Sequence, residues 1–301
     1  MPELPEVESL RLSLIPRIVG STIQKVRVLM PKLVSSKGTT RTVSNTKVAE
    51  FINGLEDTKI VSINRRAKNL IFNLSSGGIL LVHLKMTGQL AFKSNKNSHD
   101  KAVIGGHPIQ ESELVLPNKH SYIIMQLDNG SLYYNDVRQF GYLLYFKSLE
   151  VFEAEGHFEN LGLEPLDQEF IWQDFYTKIK AKTGNIKKLF LDQTVVVGLG
   201  NIYADEVLFR AGVLPTRNTN SLTKVEIKKI YEAILVILPK AVNMGGSSVA
   251  NYIMADGSRG TYAHEHMVYG RGGKECLVCS TILQKTVIAS RTTIFCPECQ
   301  K

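Results

Sequence analysis

KIVSINRRAKNLIFNLSSGGILLVHL, residues 59–84, carries the fold class in its spacing. Three runs, KIVSI, LIFNL and GILLVHL, concentrate β-branched, aromatic and leucine side chains in bursts shorter than an ordinary helix. SSGG separates the last two, and its glycines supply the positive φ that a tight hairpin turn requires. The same pattern resumes in YIIMQL, SLYYN and YLLYF, with DNG as a turn, and ends near Phe146. Residues from about Lys59 to Phe146 are therefore predicted to be mostly antiparallel β, arranged as a sandwich.

The pattern changes on both sides of this block. Upstream, Val7, Leu10, Leu14 and Ile18 recur at helical spacing. Pro5, Glu6 and Glu8 suit a helix N-terminus, so Glu8 alone reads as a dipole-compensating carboxylate. Downstream, SLEVFEAEGHFENLGLEPL, residues 148–166, mixes acids, glycines and a proline and is predicted to be the inter-domain linker. Helices dominate beyond it. Thr223 and Glu226 have capping-box spacing, and Ile227, Ile230, Ile234, Leu235 and Leu238 mark one apolar helix face. The class is α+β, and 301 residues suit two domains.

Composition limits the partners. With 44% hydrophobic and 21% charged residues the chain can build real cores. Its 36 Lys and Arg against 28 Asp and Glu give a net charge of +8, pointing to a polyanion. The excess is shared by both halves, which fits a basic cleft better than a basic tail. No apolar run approaches the ~18 residues of a membrane-spanning helix, and the acidic opening is unlike a secretory signal. A cytoplasmic protein is expected.

All 4 cysteines fall in the tail, as CLVC and CPEC: Cys276, Cys279, Cys296 and Cys299. Two C-x-x-C knuckles bring four thiolates within reach of one tetrahedral zinc. Between them TILQKTVIA and RTTIF read as two strands of a hairpin. So short a tail has too little core to hold itself without metal. The expected cofactor is one Zn2+, structural because four protein ligands leave no open position.

The opening, MPELPEVE, crowds prolines and carboxylates against a terminus that is usually inconsequential. Removal of Met1 before a small residue leaves Pro2 as a secondary amine. An α-amino group has a pKa of ~7.7–8.0, so much of it is unprotonated near neutrality and competent as a nucleophile. Attack on an aldehydic carbon gives an iminium ion that promotes elimination, and Glu3 beside it suits proton transfer.

MPELPEVE, HLKMTGQL, NDVRQFG, VVVGLGNIYADEVLF, GGSSVANY and the terminal knuckles together resemble the formamidopyrimidine-DNA glycosylase family, bacterial repair enzymes for oxidised purines. The likeness spans nearly the whole chain, in the family's order. It implies an N-terminal β-sandwich flanked by helices (1–150), a linker (151–166), a helical domain with a helix–two-turns–helix and a lesion-capping loop (167–272), and a zinc finger (273–301). The implied activity is excision of 8-oxoguanine and formamidopyrimidines, followed by β,δ-elimination. The implied partner is double-stranded DNA containing oxidised purines or abasic sites, bound by a monomer.

The resemblance also assigns residues. Pro2 is the nucleophile at the deoxyribose C1′ and Glu3 the acid/base, with Glu6 and Glu206 as supporting carboxylates. Lys68 falls at a lysine used in base excision and β-elimination. Met86, Arg138 and Phe140 look like the probes that fill the gap left by an extruded nucleotide: an apolar wedge offsets lost stacking, and an arginine can bond the orphan base. His120, Lys182 and Lys187 match phosphate contacts. In VVVGLGN the glycines allow close approach to DNA and Asn201 adds a donor; the third glycine of a dinucleotide fingerprint is missing. Arg291 resembles an arginine that grips phosphate beside the lesion. Ser247, Val249, Asn251 and Tyr252 lie in the stretch that matches the capping loop.

Two departures stand out. Family members often read D-P-R-R-F-G, whereas this chain has Val137 and Gln139, so the loop is expected to be less rigid. At His120 the usual K-H-D-H continuation is KHSY, after a long insertion over 93–118. The alternatives are an endonuclease VIII-like glycosylase for oxidised pyrimidines, against which the probe set and GGSSVANY argue, and a non-catalytic lesion-binding protein, against which Pro2 and Glu3 argue.

Overall fold

A computed structural model describes residues 2–38, 41–95, 103–106, 115–247 and 260–301. The described chain forms two compact units: Pro2 with Glu6–Glu159, and Glu3–Pro5 with Asn160–Ser247 and Thr261–Lys301.

From Glu6 onward helix α1 (Leu4–Ile18) belongs to the first unit, and its Val7, Leu10, Leu14 and Ile18 are all buried. Strand β1 (Thr22–Val28), α2 (Lys32–Ser35) and α3 (Asn45–Leu55) follow. Then come β2 (Thr58–Arg66), β3 (Asn69–Leu74), β4 (Ile79–His83), β5 (Gly88–Ser94), β6 (Val103–Gly106), β7 (Ser121–Leu127), β8 (Gly130–Asp136) and β9 (Tyr142–Phe146). Among the described residues these strands pair antiparallel in the order β6-β5-β8-β7-β1-β2-β3-β4-β9. The order narrows at β1–β2, where only Thr22↔Lys59 and Ile23↔Thr58 pair. Inward residues from both sides of that junction, Ile63, Phe72 and Val82 with Leu90, Met125 and Tyr134, share one core with Val7, Leu10 and Leu14. A sandwich results: two lobes of one sheet closed over a common interior.

The six runs read from the sequence correspond to β2, β3, β4, β7, β8 and β9. The segment 148–166 opens with a short helix, α4 (Leu149–Ala154), capped by the Ser148 hydroxyl. Its Phe152 packs with Ile79, Tyr142 and Phe146, so the first part of the linker belongs to the sheet's outer face.

The second unit contains α5 (Trp172–Lys180), α6 (Ile186–Leu191), α7 (Asn201–Ala211), α8 (Lys224–Asn243) and the hairpin β10 (Gln284–Ile288) and β11 (Arg291–Phe295). The Thr223–Glu226 capping box starts α8. Ile227, Ile230, Ile234 and Leu238 are buried as the periodicity predicts, but Leu235 is 42% exposed. At about 100° per residue it has turned off the stripe that Ile234 occupies. No helix among the described residues is long and apolar enough to cross a membrane.

Candidate functional site

In the first unit, Lys68 sits in the two-residue turn between β2 and β3, closed by the pair Arg66↔Asn69. It is buried, and Ala67 before it holds a left-handed φ of 54°. Close by in β4, His83 has its pKa pushed down to about 3 by burial, with the charges of Lys85 and Lys68 adding to the effect. Its imidazole is therefore neutral at physiological pH and can accept or donate without adding charge.

Met86, Arg138 and Phe140 converge. The Arg138 guanidinium lies 4.5 Å from the Phe140 ring centroid, and one of its nitrogens is 3.0 Å from the Met86 sulfur. Met86 and Phe140 are 40% and 45% exposed, so two large apolar side chains and a guanidinium meet at the surface in one cluster. Buried Asp136 shapes the loop beneath them, accepting from the Thr87 hydroxyl, the Gly141 amide at 2.7 Å and the Arg138 amide at 3.2 Å. Gln139, at φ 57°, donates to the Tyr122 hydroxyl at 2.9 Å. The loop expected to be slack is tied down by the residue that replaces the arginine. His120 stands at the head of β7, its ring edge-on to Tyr122 at 6.5 Å.

In the second unit, Glu3 caps α7. Its carboxylate accepts from the amides of Ile202 and Tyr203 at 3.1 and 3.4 Å, and the Leu4 amide donates to the Gly198 carbonyl at 3.0 Å. The two glycines make room for this segment. A Cβ on Gly198 would lie 2.3 Å from a Leu4 carbon, and one on Gly200 2.3 Å from the Glu3 carboxyl carbon. The glycines thus admit Glu3 and Leu4, where the sequence reading gave them to DNA, and the first amides of α7 are engaged by protein. The burial of Glu3 and its seat on a helix N-terminus hold a carboxylate in one place.

Glu206 is buried with both oxygens occupied: Met267, Val268 and Tyr269 donate their amides at 2.9, 3.0 and 2.8 Å. Burial raises its pKa, and these three amides oppose the rise. Tyr269, overlooked in the sequence, has its pKa raised by burial and by the nearby Glu3 carboxylate, with Asn201 opposing the rise. Asn201 also donates to the Thr292 carbonyl at 2.9 Å. Arg291 is exposed at the tip of the β10–β11 hairpin, after Ala289 and Ser290, both left-handed at φ 49° and 58°. Such a turn usually needs Asn or Gly, so the tip is strained where it presents an arginine. Ser247 is buried against His266; Val249, Asn251 and Tyr252 lie outside the described residues.

The four cysteine sulfurs all lie within 4.8 Å of one another. Cys276 and Cys299 are 3.9 Å apart and Cys279 and Cys296 3.5 Å. Tetrahedral zinc with ~2.3 Å bonds sets sulfurs about 3.8 Å apart, so the cage fits. Amides of Val278 and Cys299 point at the Cys276 and Cys296 sulfurs, as thiolates require.

Three family descriptions match the chain in order: formamidopyrimidine-DNA glycosylase N-terminal domain over residues 1–143, the H2TH domain of the same enzymes over 161–252, and a zinc finger found in FPG and IleRS over 273–301. Formamidopyrimidine-DNA glycosylases from Desulfitobacterium hafniense and Listeria monocytogenes are 36% and 38% identical over the full length of both chains. The chain belongs to the formamidopyrimidine-DNA glycosylase family. Its structure superposes on a Lactococcus lactis Fpg solved with abasic-site DNA at a TM-score of 0.83, with 34% identity over 99% of each chain. A MutM solved with carbocyclic 8-oxo-G DNA gives 0.82, with 33% identity over all of each chain. The activity is that of a bifunctional DNA glycosylase and abasic-site lyase, and the finger is a structural zinc site.

Within this glycosylase frame one sequence expectation fails. Lys187, read as a phosphate contact, is fully buried: its ammonium pairs with Asp205 at 2.7 Å and donates to the Thr293 hydroxyl at 2.7 Å. Burial lowers its pKa and raises that of Asp205 to about 6, while the pair itself opposes both shifts. It joins α6, α7 and β11 and cannot reach a DNA strand. The exposed lysine is its neighbour, Lys188, which with Lys182 and Ala289 lines a groove of about 630 Å³. Glu206, expected as a supporting carboxylate, holds the amides of residues 267–269.

Proposed function

We propose that Pro2, freed by loss of Met1, attacks C1′ of an oxidised purine nucleotide in duplex DNA. The glycosidic bond breaks, the base leaves with its electron pair and acquires a proton, and the opened sugar remains as an iminium ion on Pro2. Loss of a C2′ proton then expels the 3′ phosphate, and the second elimination expels the 5′ phosphate. Glu3 moves protons at the sugar, and Lys68 assists excision and the first elimination. Arg291, Lys182 and His120 hold phosphates, while Met86, Arg138 and Phe140 fill the vacated stack. Glu6 supports the amine, and Ser247, Val249, Asn251 and Tyr252 belong to the loop that covers the base. The bacterial cytosol, at the nucleoid, is where this chemistry is needed.

The observation that carries this reading is the seat of Glu3, a buried carboxylate fixed on the amides of Ile202 and Tyr203 one residue from the terminal amine. Intact mass followed by borohydride trapping on an 8-oxoguanine:cytosine duplex tests it, beside a Pro2→Gly variant. A chain lacking Met1 that cross-links through residue 2 supports the mechanism. A processed chain that traps on neither lesion nor abasic site overturns it in favour of lesion binding alone.

A further inference from the structure

We propose that Glu8 is a positioning residue for Lys68: gripped by Arg11 and Arg65, its carboxylate sets the turn that carries the lysine against the helix that follows Pro2. The proposal rests on the reading of Lys68 as a group that acts in base excision.

Glu8 does more than compensate a helix dipole. One carboxylate oxygen accepts from Arg11 at 2.6 Å; the other accepts from Arg11 at 3.0 Å and from Arg65 at 2.7 Å. Each guanidinium continues to the backbone of β2 or its turn. Arg11 donates to the Ile63 carbonyl at 3.1 Å, and Arg65 to the Ala67 carbonyl at 3.0 Å. The side chains of Glu8 and Arg65 are only 13% and 5% exposed, so their single charge-assisted bond is largely desolvated, unlike a surface ion pair of little consequence, while the two-nitrogen fork on Glu8 comes from Arg11. Burial pushes the Glu8 pKa up, but the two arginines outweigh it and hold it low, keeping the carboxylate charged.

The point of attachment matters most. The Ala67 carbonyl belongs to the planar peptide unit whose other half is the Lys68 amide. Fixing the direction of that oxygen fixes the plane from which the Lys68 side chain leaves the backbone. The plane is not one the turn holds freely, because Ala67 sits at φ 54°, where a residue with a Cβ is disfavoured. A left-handed alanine persists when its surroundings over-determine it, and the Arg65 guanidinium supplies such a constraint. Glu8 in turn prevents the two guanidiniums from separating, and so links helix α1 to the turn.

The test is single-turnover excision of 8-oxoguanine by Glu8→Gln, Lys68→Ala and the double variant, with borohydride trapping on a preformed abasic site as the second readout. Misplacing a reacting group by about 1 Å can cost about a hundredfold, so Glu8→Gln should excise on the order of ten- to a hundredfold more slowly. Duplex affinity should be unchanged, and trapping through Pro2 should be retained within a few-fold. In the Lys68→Ala background the same substitution should change excision no further. Arg65→Lys should reproduce the loss, because an ammonium cannot serve Glu8 and Ala67 together, and it carries the test if Glu8→Gln does not fold. Wild-type excision by the folded variants overturns the proposal, as does an equal loss with and without Lys68. Undiminished excision by Lys68→Ala alone overturns the reading of Lys68 itself and the proposal with it.

Discussion

Gly200 lacks a side chain where Glu3 stands: a Cβ there would come within 2.3 Å of the Glu3 carboxyl carbon. The backbone of Gly200 is extended, at φ −138° and ψ −153°, so space for Glu3 is what calls for the glycine. Gly200→Ala should drive the carboxylate off the Ile202 and Tyr203 amides. Base excision should fall on the order of a hundredfold, with zinc content intact. An excision rate equal to wild type would show that this seat is dispensable.

The Lys187–Asp205 pair is buried on both sides, with 0% exposure of either side chain. Lys187→Met alone leaves an uncompensated carboxylate and should cost about 3–5 kcal/mol in urea unfolding. Asp205→Asn added to it keeps an acceptor for the Ile294 amide, 3.2 Å from Asp205, and removes the orphaned charge. The double variant should recover most of the loss. A double variant no more stable than Lys187→Met would mean that the pair contributes net attraction.

What the sequence revealed follows from range. Period-two runs are local, so β2, β3, β4 and β7 to β9 were legible, whereas TIQKVRV of β1 and GQLAFKS of β5 carry polar residues that blur the alternation. Lys187 and Lys188 are indistinguishable as letters; the rotation of α6 against α7 and β11 decides which one faces inward. The zinc knuckles were plain because their ligands come in close pairs. Glu8 and Arg65, or Glu206 and the 267–269 amides, meet across more than fifty residues, and no local pattern announces them.

Lys188, exposed on the groove with Lys182, should be a phosphate contact in place of Lys187. Lys188→Ala should weaken duplex binding across sequences alike and reduce the slope of log K against log salt by about 0.9. Titrations at several salt concentrations measure this. An unchanged slope would remove Lys188 from the interface.

Glu226 adds a pH dependence. Its bonds to Arg217, opposed by partial burial and aided by Thr223, hold its pKa down to about 2. A depressed carboxylate stabilises above its ordinary pKa, here 4.5, and the benefit disappears as pH falls through 4.5 toward 2. Gln at this position keeps the reach to the Thr223 amide and loses only the charge. Glu226→Gln should therefore lower Tm at pH 7, by an amount equivalent to no more than about 1 kcal/mol because the pair is partly exposed. The gap should close near pH 2.5, and a gap independent of pH would assign the loss to packing.

The finger should depend on zinc for both shape and function. Its core is small, Phe209 and Val268 with Leu283, Ile294 and two of the cysteines, and the four-sulfur cage sits at the base of β10 and β11. Removing the metal returns the sulfurs to thiols and takes away the bonds that tie the two knuckles together, so the hairpin should open from its base and release the strained Ala289–Ser290 tip with Arg291. Chelation should abolish duplex binding and borohydride trapping together, and readdition of one zinc per chain should restore both. The helical core around Phe175, Val207 and Ile234 needs no metal, so far-UV circular dichroism should fall only slightly. Trapping that survives complete loss of zinc, verified by elemental analysis, would show that Arg291 reaches DNA without the cage.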